Sequence, residues 1–166
     1  HQSVISLARA AAAELSVPLG VVTFEPHPLQ YFAPEAPAFR LMNAEARAHR
    51  LVKLGVTRLY ELPFDARLAG MTAEEFARVV LADGLGVAHV VVGTDFRFGK
   101  GRTGTAATLA DLGPRLGFRV TIADLMAGED GAVSSTAIRI ALAQGEPRRA
   151  AAMLGHWHRI EGEVIH

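Results

Sequence analysis

Hydrophobic positions along this chain follow two rhythms that alternate from end to end: repeats of three to four residues, and short unbroken apolar runs. Val4, Ala8, Ala11 and Leu15 stand at helical spacing in an alanine-rich stretch of high helix propensity, so 1–15 is expected to be a helix. Leu19 to Phe24 is an apolar run that stops at Glu25-Pro26-His27-Pro28. It predicts a buried strand ending in a stiff loop, because each proline fixes its own φ and biases the residue before it toward extended backbone. Asn43 to Leu54 reads as a helix with an Asn cap, Ala44, Arg47, Leu51 and Leu54 on related turns, and Gly55 as its stop. Glu45, Arg47, Arg50 and Lys53 would form its solvated face. Arg58 to Pro63 gives a second strand, ending in Pro63-Phe64-Asp65, where Asp65 reads equally as a turn residue or a ligand. Thr72-Ala73-Glu74-Glu75 is a capping box ahead of Phe76, Val79, Val80 and Leu81, a helix expected to end near Gly84.

The β-branched run Val90-Val91-Val92 predicts a strand buried on both faces. It breaks into Gly93-Thr94-Asp95-Phe96-Arg97-Phe98-Gly99-Lys100-Gly101-Arg102-Thr103-Gly104, the loop around which the chain is organised. Leu109, Leu112 and Leu116 then mark a helix with a break or kink expected at Gly113-Pro114, and Phe118 to Ile122 marks one more strand. Residues 128–131 read as a surface turn. Val133 to Arg139 leads into an apolar helix that stops near Gly145. Pro147 to Leu154 is a short helix with Ala150, Met153 and Leu154 on its apolar side, broken at Gly155, and Arg159 to His166 begins an alternating strand. Strands alternating with helices predict an α/β fold with a parallel sheet, right-handed crossovers and flanking helices.

Composition narrows the function. The 166 residues suffice for one α/β domain with a full core, and half of them are hydrophobic. The formal net charge is zero, which disfavours nucleic acid and anionic membrane as partners and requires any phosphate site to be made locally. With no cysteine, disulfides, thiolate zinc sites and cysteine catalysis are excluded, which fits a reducing cytoplasm. No apolar run approaches the roughly 18 residues a membrane span needs, and no signal peptide is visible at the start. The expectation is a soluble cytoplasmic protein of undetermined oligomeric state.

Three stretches carry candidate chemistry. In open parallel sheets ligands bind beyond the carboxyl ends of strands, and the 93–104 loop puts glycines, one carboxylate, two aromatics and three basic residues there, a composition suited to an anion. The plainer reading is a solvated loop whose glycines only make turns. His27, between two prolines, is either directed toward a ligand or part of a rigid surface turn. Ser134, Ser135 and Thr136 place hydroxyls and unpaired N–H groups at the positive end of a helix dipole, with Arg139 one turn on, which suits a phosphate. The alternative is a serine cap and a surface arginine. His156 and His158 lack carboxylate partners at metal-ligand spacing, and a zinc site is not expected there.

In order, Thr23-Phe24-Glu25-Pro26-His27-Pro28, the strand-loop Gly93 to Gly104, and Ser134-Ser135-Thr136-Ala137-Ile138-Arg139 resemble the signatures of bacterial FAD synthetases. These are the FMN adenylyltransferase modules of bifunctional riboflavin kinase/FAD synthetases. The resemblance implies a Rossmann-like parallel sheet of the nucleotidyltransferase superfamily type, and AMP transfer from ATP to FMN to give FAD and pyrophosphate, with Mg²⁺ accompanying ATP. It implies that His1 and Arg139 are catalytic. ATP would be bound by His1, Gly93, Asp95, Ser134, Ser135, Thr136 and Arg139, and the flavin by Phe24, Pro26, His27, Pro28, Phe96 and Arg97, with metal ligands unassigned. His1-Gln2 resembles the end of the family's first motif, whose preceding strand would lie upstream. The resemblance divides the chain into an adenylyltransferase domain over 1–155 and, over 156–166, a linker entering a riboflavin kinase domain. Two other readings stay open: a related nucleotidyltransferase with another phosphate substrate, and an inactive flavin- or nucleotide-binding module.

Overall fold

The computed structural model describes residues 2–35, 40–124 and 135–158. Its contacts divide the chain into two compact units, one of His1–Ala36 with Leu51–Leu125 and one of Pro37–Arg50 with Met126–His166.

In the first unit, helix α1 (Gln2–Leu15) precedes strand β1 (Gly20–Glu25), which pairs in parallel with β2 (Arg58–Pro63) from Gly20↔Arg58 to Glu25↔Pro63. Strand β3 (His89–Gly93) pairs in parallel with β6 (Arg119–Ala123), from His89↔Arg119 to Gly93↔Ala123. The predicted parallel sheet is thus present as two parallel pairs, which share no ladder among the described residues. The loop after β3 folds into a two-residue antiparallel ladder, β4 (Arg97–Phe98) with β5 (Gly104–Thr105), that the sequence pattern did not predict. A ladder this short has no alternation to read.

Alternation along the strands assigns their faces. Val90, Val92 and Val120 turn toward a core of Phe76, Leu81, Phe98, Leu109, Leu112 and Phe118, which involves the segment Phe76–Gly84 and α6 (Ala106–Arg115). Arg119 lies on the other face and meets Glu14 of α1 at 3.5 Å. Both side chains are largely exposed, so the ion pair adds little, and the apolar contacts of Ile5, Ala8 and Ala12 with Leu19, Val21 and Val56 hold α1 in place. Ala12, one residue on from the expected Ala11, is the buried centre of the α1 face.

Several starts and stops follow the sequence. Asn43 accepts the Ala46 N–H at 2.8 Å and caps α3 (Ala44–Lys53). Asp65 proves to be a cap, accepting from Leu68 N at 2.8 Å above α4 (Ala66–Gly70). The Thr72–Glu75 capping box closes in both directions at α5 (Ala73–Glu75). The helix expected to end near Gly84 does end there, wound as a π-helix over Phe76–Gly84 at more residues per turn than an α-helix. Phe76, Ala77 and Leu81 are its buried residues, while Val79 is turned outward. One expectation fails: helix α6 runs unbroken through Gly113 to Arg115. Pro114 sits in its last turn, and a Cβ on Gly113 would stand 2.6 Å from Val120 Cγ2, so that glycine serves close helix–strand approach.

In the second unit, α7 (Ser135–Ala143) and α8 (Pro147–Leu154) form a hairpin around Ile138, Ala141 and Ala150, flanked by Leu41, Leu142, Met153 and Leu154. The turn is a Schellman motif: Glu146 N–H donates to Ala141 O at 2.8 Å and Gly145 N–H to Leu142 O at 3.1 Å, with Gly145 at φ +73°.

Candidate active site

The first unit gathers at its strand ends most of the residues expected on the flavin side. Glu25 ends β1 and is joined to Pro26 by a cis peptide bond. His27 is extended (φ −62°, ψ 141°), and its Nδ1 accepts the Leu29 N–H at 3.1 Å. The imidazole is thus the N-cap of a short helix the sequence did not predict, α2 (Pro28–Phe32), with Pro28 at its first position. A neutral His27 accepting at Nδ1 carries its proton on Nε2, so this bond fixes the tautomer as well as the ring direction.

Helix α2 presents Tyr31 and Phe32, the latter 68% exposed. Their rings are 5.2 Å apart, and both meet Phe64, after β2, edge-on at 5.3 and 5.8 Å. Phe64 meets Phe24 at 5.7 Å, Phe24 meets Phe76 at 6.4 Å, and Phe76 meets Phe98 at 5.7 Å. Phe98 stacks on Phe96 at 5.3 Å and 18°. Phe24 and Phe96, expected on one side of the site, are therefore linked through Phe76, which the sequence placed only on a helix, and Phe98, of the same loop motif as Phe96. The apolar strand end and the alternation Phe96-Arg97-Phe98 were the available signals. Beyond β2, a groove of about 300 Å³ is lined in part by Leu62, Pro63, Leu68, Met71, Val80 and Leu85.

At the end of β3, Thr94 N–H donates to Ala123 O at 3.2 Å and Phe96 N–H to Gly93 O at 3.0 Å, closing a tight turn. The Asp95 carboxylate folds back over Gly93, its Oδ1 lying 2.9 Å from where a Cβ would be. Arg97 is exposed and donates from Nη1 to Phe96 O at 2.9 Å. Lys100, Gly101 and Arg102 form an exposed turn in which Gly101 and Arg102 both take left-handed φ values, +63° and +59°.

The second unit carries Ser135, half-buried, and Thr136, exposed, in the first turn of α7, where backbone N–H groups and the helix dipole favour an anion. Arg139 lies one turn on, next to buried Ile138. His1 and Ser134 lie outside the described residues. Among the described residues no group of three or more His, Asp or Glu side chains gathers as a metal site. None of the described helices is long and apolar enough to cross a membrane.

Parallel strand pairs flanked by helices, with glycine-bearing loops at their carboxyl ends and a hydroxyl-rich helix start, define an α/β protein of nucleotidyltransferase-like fold. Residues 1–137 match the FAD synthetase family, and the chain belongs to it. It is 41% identical over 166 residues to the bifunctional riboflavin kinase/FMN adenylyltransferase of Pseudomonas fluorescens, covering 100% of this chain and 53% of that one. With the protein of the same name from Escherichia coli K12 the identity is 34%, with the same coverage. The chain spans about half the length of the curated relatives it matches. A crystal structure described as a macrolide-efflux protein from Streptococcus pneumoniae superposes with a TM-score of 0.81 at 30% identity, over 94% of this chain and 50% of that one.

Proposed function

We propose that this chain is the adenylyltransferase part of an FAD synthetase, joining AMP from ATP to FMN. The observation that carries the reading is that, in a member of this family, the 24–32 and 93–104 stretches stand at the carboxyl ends of parallel strands, linked by a run of aromatic rings.

In the reaction an FMN phosphate oxygen attacks the ATP α-phosphorus. A new P–O bond forms, the bond from that phosphorus to the β-bridging oxygen breaks, and pyrophosphate leaves with the electron pair. A phosphate monoester is largely ionised near neutral pH, so the nucleophile needs no general base. The protein's contribution is to hold two polyanions in line and to stabilise charge on the departing pyrophosphate. The α7 N–H groups, Ser134, Ser135, Thr136 and Arg139 serve the ATP phosphates together with His1, while Gly93 and Asp95 border the nucleotide. Phe24, the Pro26-His27-Pro28 turn, Phe96 and Arg97 shape the flavin side. Mg²⁺ would arrive on ATP and offset phosphate charge; among the described residues no group of three or more His, Asp or Glu gathers to hold it. The module extends over 1–155, residues 156–166 lead toward a riboflavin kinase domain like that named in the relatives, and the protein works in the cytoplasm.

Mass spectrometry of products from ATP and FMN with Mg²⁺, using the protein at its natural length, tests this. FAD and pyrophosphate are expected. Adenylylation of nicotinate mononucleotide or phosphopantetheine in place of FMN would overturn the flavin assignment, and ligand binding without pyrophosphate release would mark an inactive binding module.

A further inference from the structure

The loop after β3 is pinned to the start of a helix that the proposed reaction does not use. Lys100 N–H donates to Met71 O at 2.7 Å. Gly99, at φ +73°, comes so close to the next two residues that a Cβ would lie 2.7 Å from Ala73 N, 2.9 Å from Ala73 Cα and 3.2 Å from the Thr72 carbonyl carbon. All three are backbone atoms and cannot yield. At the other end of the turn, a Cβ on Gly104 would lie 2.8 Å from Ala73 Cβ and 2.8 Å from the Phe98 ring. Three consecutive residues, Met71, Thr72 and Ala73, thus hold both ends of the 99–104 turn, and the reciprocal Thr72–Glu75 cap fixes them in turn. Within the pinned turn Arg102 keeps φ +59°, a left-handed conformation that a non-glycine residue holds only when its surroundings impose it.

We infer that Ala73 is a positioning residue for the substrate loop: its methyl group sets the seat of Gly104 and Phe98, and through the Phe98–Phe96 stack it sets where Phe96 and Arg97 meet the flavin. The inference rests on the reading that this loop takes FMN. Ala73 touches no substrate in this account. It acts because a branched group there pushes on a hairpin whose glycines have already used up the available space, whereas a single small atom such as the serine hydroxyl can turn away from the seam.

The test is Ala73→Val in the protein at its natural length, with steady-state kinetics in each substrate and amide hydrogen exchange of the 97–104 segment read by mass spectrometry. The KM for FMN rises about tenfold, the KM for ATP stays within about twofold, and exchange of the segment quickens as the Lys100 bond to Met71 is strained. Ala73→Ser, which adds no branched bulk, returns the FMN KM to near the starting value. If Ala73→Val does not fold, Gly104→Ala loads the same seam from the other side and is read in the same way. Faster exchange with an unchanged FMN KM overturns the inference, since the loop then moves without consequence. Unchanged exchange also overturns it, as does an equal rise in both KM values with a fall in melting temperature. Failure of the unsubstituted protein to form FAD would instead sink the assigned reaction, and the exchange measurement alone would then decide whether Ala73 holds the loop.

Discussion

The loops beyond β1 and β3 are held by large rings packed on one another, from Phe32 to Phe96, whereas the hydroxyl-rich start of α7 rides on a hairpin whose buried residues are one isoleucine and two alanines. The first arrangement positions by shape, through contacts that cannot shift without disturbing a core. The second would, in the proposed reading, position by charge and dipole, from a helix start where Thr136 is exposed and Ser135 half-buried. Substitutions should therefore separate: in the first region stability and flavin affinity change together, and in the second turnover changes while stability holds.

Phe76→Ala strikes the buried middle of the ring series. Loss of an aromatic side chain from a packed core costs about 3–5 kcal/mol, so denaturant unfolding should show a destabilisation of that order. A cost below about 1 kcal/mol would mean that the rings do not hold the two loops.

Arg139→Ala should do the reverse. Removing one positioned electrostatic donor lowers turnover by about a hundredfold, close to 2.7 kcal/mol of transition-state stabilisation, with the melting temperature almost unchanged. Full turnover with a lost degree or two would reduce Arg139 to a helix-stabilising residue.

His27 sharpens the contrast, because the structure gives it a cap to make beside the flavin contact proposed for it. His27→Ala should raise the FMN dissociation constant by about five- to a hundredfold, the equivalent of about 1–3 kcal/mol, while leaving ATP affinity nearly unchanged in separate titrations. His27→Asn can restore the cap on Leu29 N–H but not the imidazole. If Asn recovers FMN affinity in full, His27 works only through α2.

The smallest effect concerns pH. The Glu75 carboxyl is held below its ordinary value of 4.5, first by the backbone hydrogen bond from Thr72 and then by the Thr72 hydroxyl. A carboxylate whose folded pKa is depressed adds stability above its unfolded pKa and loses it as pH falls through the folded value. The protein should lose a little stability on acidification below about pH 4.5, and Thr72→Val, which removes the hydroxyl, should flatten that part of the melting-temperature profile.

What could be read from the sequence was chemistry local in the chain. Asn43 and Thr72 announce their helices because cap and capped N–H lie three residues apart, and the valines of β3 announce a strand because a β-branched run favours extended backbone, although of the three only Val92 is buried. Helix α2 escaped because histidine is outside the usual capping set and five residues carry no periodicity. The π winding after Phe76 escaped because the spacing of apolar residues does not tell it from an α-helix. The ring series joins residues far apart in the chain, so motifs supplied Phe24, Phe96 and Phe98 singly, but not their contacts through Phe76, nor those of Phe64 with Phe24, Tyr31 and Phe32. Of the residues proposed for the ATP phosphates, Ser135, Thr136 and Arg139 stand on the helix expected there, α7, while His1 and Ser134 fall outside the described residues.

The most direct test of the assigned reaction follows a label. With FMN as the sole flavin and Mg²⁺ present, ATP carrying ³²P at the α-position should yield labelled FAD, and ATP labelled at the γ-position should yield labelled pyrophosphate and unlabelled flavin. Transfer of the γ-label to the flavin, or release of labelled pyrophosphate without any FAD, would contradict the account.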